Sequence, residues 1–250
     1  MRLFALSDLH VDFAANAEAL RSLAGAEHRG DALIVAGDVA HRLELVRDTL
    51  GFLRACFARV FYVPGNHEVW VWGSRGDSLV QFHRVLEACR QVGVHTSPAE
   101  AAGHWVVPLF SWYDASLADP VAPDAEPLQG WADLRRCRWP DGFGPPAEAF
   151  AAMNRPRLIR RPTPTVSFSH FLPRRELIPP RTHLHFPDLP QVAGSRLLEA
   201  QVRALGAQVH VYGHAHIRRD VVLDGVRYVE EHLGYPRERR GLPPQLKRIA

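Results

Sequence analysis

Cysteine is scarce in this chain. Cys56, Cys89 and Cys137 stand far apart with no C-x-x-C pair, so neither a disulfide framework nor a thiolate zinc site is indicated. Long apolar runs are also missing. No stretch approaches the roughly 20 residues of a membrane-spanning helix. The opening run Leu3-Phe4-Ala5-Leu6 turns polar at Ser7-Asp8, too short for a signal-peptide core. The expectation is a cytoplasmic protein with no membrane partner. There is no internal repeat, no interdomain linker and no strong charge excess. A net charge of +3 over 250 residues suits an anionic substrate without singling one out. Arginine is unevenly spread: Arg135, Arg136, Arg138, Arg155, Arg157, Arg160, Arg161, Arg174, Arg175 and Arg181 crowd the middle of the sequence.

What the sequence does have is enough apolar content, 46% of its residues, to bury a core of its own. The expectation is one domain over 1–250. Arg2 to Ser7, Asp31 to Gly37 and Arg59 to Val63 are short apolar runs separated by stretches of helical period, a β-α-β-α-β pattern that implies parallel strands. Asn16 reads as a cap before a helix at Ala17 to Leu23, and Leu43 to Phe57 and Asp77 to Arg90 read as further helices. Strands are expected at Val92 to Val94, His104 to Phe110, Thr165 to Ser169 and Gln208 to Tyr212, with a helix from Ser195 to Leu205. A hairpin over Asp220 to Glu230 turns at Asp224-Gly225, and Arg237 to Ala250 reads as a surface tail. Between them lie an irregular, Trp- and Pro-rich insertion at about 111–164, which reads as a cap, and a loop at 171–190.

Polar clusters end the apolar runs: Asp8-Leu9-His10, Gly37-Asp38, Gly65-Asn66-His67, Ser169-His170 and Gly213-His214-Ala215-His216. The carboxyl ends of parallel strands border the crevice where ligands bind, so these clusters should converge. In an extended chain side chains alternate, which would aim Asp8 and His10 one way and pair His214 with His216. Any one of these residues alone would be an ordinary turn or cap; five clusters with one theme are not.

In this order and spacing, Asp8-x-His10, Gly37-Asp38, Gly65-Asn66-His67-Glu68, His170 and Gly213-His214-x-His216 resemble the calcineurin-like metallophosphoesterase superfamily, from Leu3 to Val229. Trp112-Tyr113-Asp114, Trp131-Ala132-Asp133, Cys137-Arg138-Trp139-Pro140 and Tyr235-Pro236-Arg237-Glu238-Arg239 are similar to a subgroup shared by plants and bacteria. The resemblance implies an α/β fold, a two-sheet β-sandwich flanked by helices in four α/β/β/α layers. It implies two divalent metal ions, with Mn²⁺ first and Fe, Zn or Ni as alternatives. Asp8, His10 and His216 would hold one ion, Asn66, His170 and His214 the other, and Asp38 would bridge them. The reaction implied is hydrolysis of a phosphomonoester or phosphodiester by metal-bound hydroxide. His67 is the candidate catalytic group beside the leaving oxygen.

Candidate substrate contacts are His41, three residues past Asp38, and Arg174 and Arg175, close behind His170, each of which also reads as an ordinary surface residue. His183 and His185 alternate on a loop with no carboxylate at ligand spacing, and are read as packing. The expected partner is a small phosphate ester, for example a nucleotide. Two alternatives remain open: a nuclease served by the arginine-rich middle, and a non-catalytic metal-binding scaffold on the same fold.

Overall fold

The computed structural model of the chain describes residues 1–73, 76–118, 128, 130–239 and 243–250. β1 (Leu3–Leu6), β2 (Ala32–Val35) and β3 (Arg59–Tyr62) pair in parallel. Helices α1 (Ala14–Leu23) and α2 (Leu43–Cys56) make the crossovers. α3 (Ser78–Gln91) follows, its N-terminus capped by the Asp77 carboxylate, which accepts from Val80 N–H. The second sheet runs β4-β5-β6-β7-β9-β8. Its strands are β4 (Ala99–Ala101), β5 (His104–Pro108), β6 (Thr165–Phe168), β7 (Val209–Tyr212), β8 (Arg219–Leu223) and β9 (Val226–Glu230). Between β5 and β7 the chain forms α4 (Ala132–Arg136), α5 (Pro146–Asn154), α6 (Leu189–Val192) and α7 (Arg196–Leu205). A last strand, β10 (Lys247–Arg248), completes the first sheet in the order β10-β1-β2-β3.

Strand alternation builds the layers. Leu3, Ala5, Ile34 and Phe61 face the second sheet and meet Val106, Val166, Phe168 and Val211. Their neighbours Phe4, Leu6, Leu33 and Val35 point the other way, onto Val46, Leu50 and Leu53 of α2 and Val85 of α3. The outer face of the second sheet, with Val107, Tyr212 and Tyr228, is covered by Leu198, Val202 and Leu205 of α7. The result is the four-layer α/β/β/α sandwich. Each fully buried Leu or Phe in it is worth roughly 1.5–3 kcal/mol in apolar transfer.

Several local expectations are corrected. Asn16 is no cap: it lies inside α1, fully buried, and its Nδ2 donates to Leu9 O and Gly234 O, each at 2.8 Å. Residues 92–94 form no strand; His95 makes an isolated bridge to Phe61 instead. β4 was not expected, because Ala99-Glu100-Ala101 carries no strand-like composition and forms only by pairing with β5. The C-terminal residues are not a loose tail, since β10 pairs with β1 and Ile249 is buried. In the insertion at 111–164 the described residues include α4 and α5 between irregular stretches. Trp112, Trp139, Phe143 and Phe150 pack around one another, with Trp112 and Trp139 rings 5.1 Å apart, and join the inter-sheet core beside Phe82. Positions 119–127 and 129 of that expected cap lie outside the described residues.

Candidate metal centre

The carboxyl ends of β1, β2, β3, β6 and β7 open on one edge, and the loops that leave them carry the polar clusters. These loops lie side by side through backbone bonds: Asp8 N–H donates to Gly37 O at 3.0 Å, His10 N–H to Asp38 O at 3.0 Å, and Gly213 N–H to His170 O at 2.9 Å. The expected extended alternation is not what aims the side chains. Asp8, His10, Asp38, His214 and His216 all adopt positive φ, between 42° and 71°. A non-glycine residue pays strain there, and such residues gather at functional sites. Close approach also demands glycine. A Cβ on Gly37 would lie 2.4 Å from His170 Nδ1, and one on Gly65 only 2.1 Å from Asp38 Oδ1.

Asp8, His10, Asp38, Asn66, His170, His214 and His216 are thereby brought together, and the donor atoms can be followed one by one. His170 Nδ1 donates to Ala36 O at 2.9 Å and His214 Nε2 donates to Val192 O at 3.1 Å. That leaves His170 Nε2 and His214 Nδ1, 3.2 Å apart, as two facing lone pairs. Asn66 Oδ1 joins them at 3.0 and 3.2 Å, its orientation set because Nδ2 donates to the acceptor-only carboxylate of Asp133 at 2.9 Å. Three lone pairs with no proton among them fit a cation. On the other side, His216 Nδ1 meets Glu238 Oε2 at 2.7 Å, which turns Nε2 toward His10 Nε2 and Asp8 Oδ1, each 3.2 Å away. A carboxylate behind an imidazole is the usual support of a metal-binding histidine. Asp38 lies between the two sets, grouped with His170 and His214 and also with His10 and His67, each group's donor atoms within 4.8 Å of one another.

Electrostatics agree. Burial works to raise the Asp8 carboxyl, yet the adjoining His216 outweighs it and holds Asp8 well below the carboxylate range. Against its own burial, His216 is raised by the same pairing. Burial and the charge on Asp8 push Asp38 up, while burial drives His10 and His214 down. Two buried carboxylates are costly without positive charge, and mixed oxygen and imidazole donors suit first-row divalent ions.

His67 stands beside this cluster, Nε2 3.8 Å from Asp38 Oδ2, its backbone N–H donating to Asp38 Oδ1 at 3.1 Å and its ring stacked on Trp70 at 3.9 Å. Burial lowers its pKa to about 3. His41 sits further out, its Nδ1 3.2 Å from Asp12 Oδ2 and its ring 5.6 Å from exposed Trp72. Arg174 and Arg175 are not brought into the cluster. Arg174 is matched by Glu176, Glu199 and Asp224, the last at the hairpin turn by the start of β9, the opposite end of that sheet. Arg175 donates to Ile178 O at 2.9 Å.

Four supporting residues had no assigned role in the sequence. Glu68 takes backbone N–H bonds from Asp38, Val39, Ala40 and Gly65, stitching two of the loops together. Burial pushes its carboxyl up to about 8 while the Gly65 and Ala40 donors pull it down. Its place after Asn66-His67 was the available signal. For Asp133 and Glu238 the subgroup motifs marked the residues but not their roles, and Trp70 had no signal, since their partners are remote in sequence or unmarked by spacing.

Comparison with known proteins gives the same picture. A family model described as calcineurin-like phosphoesterase matches residues 1–218. The [acyl-carrier-protein] phosphodiesterase PptH of Mycobacterium tuberculosis is 33% identical over 267 residues, spanning 97% of this chain and 80% of its own length. The crystal structure of the M. tuberculosis phosphopantetheinyl hydrolase PptH superposes with a TM-score of 0.82 at 30% identity, over 99% of this chain and 95% of that one. A further solved structure, at TM-score 0.53 and 15% identity over 92% of this chain and 90% of its own, is alike in fold alone. Ordered motifs, sandwich and donor geometry therefore place this chain in the calcineurin-like phosphoesterase family, as a metal-dependent phosphoric ester hydrolase.

Proposed function

We propose that the chain is a phosphodiesterase that holds two divalent cations, one on Asp8, His10 and His216, the other on Asn66, His170 and His214, with Asp38 shared. We further infer that its substrate class is the phosphodiester joining a phosphopantetheine arm to a carrier protein. The observation that carries the first reading is the pair of facing lone pairs on His170 and His214 with Asn66 Oδ1 beside them, a donor set that suits a cation. The second is supported by likeness to PptH over nearly the whole chain. Residues 1–250 are read as one domain into which the segment at 111–164 is packed.

When bound, the cations supply Lewis acidity toward the phosphoryl oxygens and lower the pKa of water at the site. The polypeptide supplies orientation. Ala36 O, Val192 O and Glu238 each take one ring nitrogen of His170, His214 and His216, so that the other nitrogen, facing the cluster, is the one that would present a lone pair to an ion. His67, pinned between Asp38 and the Trp70 face, offers its ring N–H to an oxygen of the ester. Stacking of Tyr235 on His10 at 4.5 Å and of Trp70 on His67 keeps apolar surface against both rings and narrows the access of water.

The nuclease reading has less support. The middle-segment arginines do not form one stripe: Arg157 lies over Phe110, Arg161 over Trp105, and Arg181 pairs with Asp188. The scaffold reading has none, since the donor set and His67 are all in place. The experiment is to offer the protein, with Mn²⁺, a phosphopantetheinylated carrier protein, bis-p-nitrophenyl phosphate and p-nitrophenyl phosphate. Release of the phosphopantetheine arm and faster diester than monoester turnover are expected. Monoester turnover alone would overturn the diesterase reading.

A further inference from the structure

Asp133 is carried by α4, in the segment between β5 and β6 of the second sheet, yet it is buried against the metal centre. Everything around it donates. Its Oδ1 accepts from Asn66 Nδ2 at 2.9 Å and from Trp70 Nε1 at 2.6 Å, and its Oδ2 accepts from Trp131 Nε1 at 2.9 Å. Among the described residues no cation pairs with it, so a buried carboxylate is kept on hydrogen bonds alone. Burial of that kind is costly and is retained only where the donors compensate it.

An amide side chain has two nearly isosteric ends, and only one can serve a cation. Turned by 180°, Asn66 would present its NH₂ to His170 Nε2 and His214 Nδ1 in place of the oxygen now at 3.0 and 3.2 Å. The two histidine nitrogens favour the wrong end, since their lone pairs would accept from an NH₂ wherever no cation faces them. A carboxylate can face only the NH₂. The same oxygen holds the indole of Trp70, whose ring stacks on His67 at 3.9 Å. Its neighbour Trp131 closes on His214 edge-on at 6.0 Å and stacks on Phe186 at 5.5 Å.

We propose that Asp133 is a positioning residue which fixes the rotamer of Asn66 so that its oxygen, not its nitrogen, faces His170 and His214, and which seats Trp70 beneath His67. Through it the 111–164 segment acts on the centre as a support for ligand orientation. The inference rests on the reading that Asn66, His170 and His214 hold an ion.

The test is calorimetric titration of the metal-stripped full-length chain with Mn²⁺, beside a thermal melt of the same metal-free samples. Asp133→Leu, which removes every acceptor, is expected to weaken one of the two ions by about 10- to 100-fold, the range for losing an outer partner of a metal ligand, and to leave the other within about threefold. Asp133→Asn keeps one acceptor oxygen but can also turn its NH₂ toward Asn66, and is expected to weaken the same ion by less than Asp133→Leu does. Asn66→Asp combined with Asp133→Leu is expected to recover the weakened ion, because a carboxylate has no wrong end. Both ions weakened equally in Asp133→Leu, or no recovery in the double variant, would mean that Asp133 only stabilises the fold. Should Asp133→Leu fail to fold, equal weakening of both ions in Asp133→Asn, or no weakening of either, would overturn the proposal. If the parent chain itself bound no ions, the proposed function would fail, a result distinct from any of these.

Discussion

Gly65→Ala probes the closest approach in the centre. A Cβ at this position would lie 2.1 Å from Asp38 Oδ1, 2.8 Å from His170 Nε2 and 2.9 Å from Asp38 Cγ. Something must open by about 1 Å to restore van der Waals contact. Asp38 has little freedom to yield, being buried, at φ 53°, and bonded through Oδ1 to His67 N–H at 3.1 Å. The Gly65 strand end is tied as well, its N–H donating to Glu68 Oε2 at 2.7 Å. Overpacking of this kind costs about 1–3 kcal/mol, partly offset by about 0.4–1 kcal/mol from the lower entropy of the unfolded alanine chain. Catalysis should suffer more: a misplacement of about 1 Å costs on the order of 10²-fold. The assay is Mn²⁺-dependent hydrolysis of bis-p-nitrophenyl phosphate, with a metal-free melt for stability. Gly51→Ala is the control, since its Cβ would meet only Val92 Cγ1 at an ordinary 3.6 Å within α2. That variant should keep its rate and gain about 0.5–1 kcal/mol. A Gly65→Ala protein as fast as the parent would refute the claim that contact between Gly65 and Asp38 sets the geometry.

Other substitutions follow the same logic. His67→Gln is expected to lower kcat by about 10²- to 10⁴-fold while leaving both ions bound, checked by steady-state kinetics beside metal analysis; unchanged kcat would remove His67 from the reaction. Glu238→Ala strips the carboxylate from behind His216 and should weaken one ion by about 10- to 100-fold in a Mn²⁺ titration. Away from the centre, the Arg2 guanidinium beside Asp31 holds that carboxyl well below the usual range. A depressed folded-state pKa contributes stability that is complete above the unfolded value of about 4 and is lost as pH falls below it. Asp31→Asn should therefore melt lower than the parent at pH 7, with the gap narrowing as pH falls below about 4 toward the depressed folded-state value, read in circular-dichroism melts.

The centre was legible because each ligand follows a strand, with glycine setting off Asp38, Asn66 and His214, signals that survive in one dimension. How the side chains are aimed was not. Extended alternation predicted the convergence of Asp8 with His10 and of His214 with His216, but the backbone reaches it through left-handed residues, a strain that only packing between loops sustains. Asp133 and Glu238 fell in motifs of the resemblance without a role for another reason: they meet Asn66 and His216 across 67 and 22 positions, where no spacing rule applies. Arg174 shows the reverse error, since nearness to His170 in sequence says nothing of direction, and the side chain turns to Asp224. Likewise β10 is a two-residue strand that exists only because the edge of β1 is there to pair with it.

The central claim is that this cluster binds two cations and hydrolyses phosphodiesters with them. Its most direct test is to strip the protein of metal, restore Mn²⁺ in a titration, and follow bound ions and bis-p-nitrophenyl phosphate hydrolysis together, beside an Asp38→Asn control. Two ions per chain, with turnover rising as they bind and lost in the control, is the predicted result. Turnover that is indifferent to metal, or a control as active as the parent, would contradict the account.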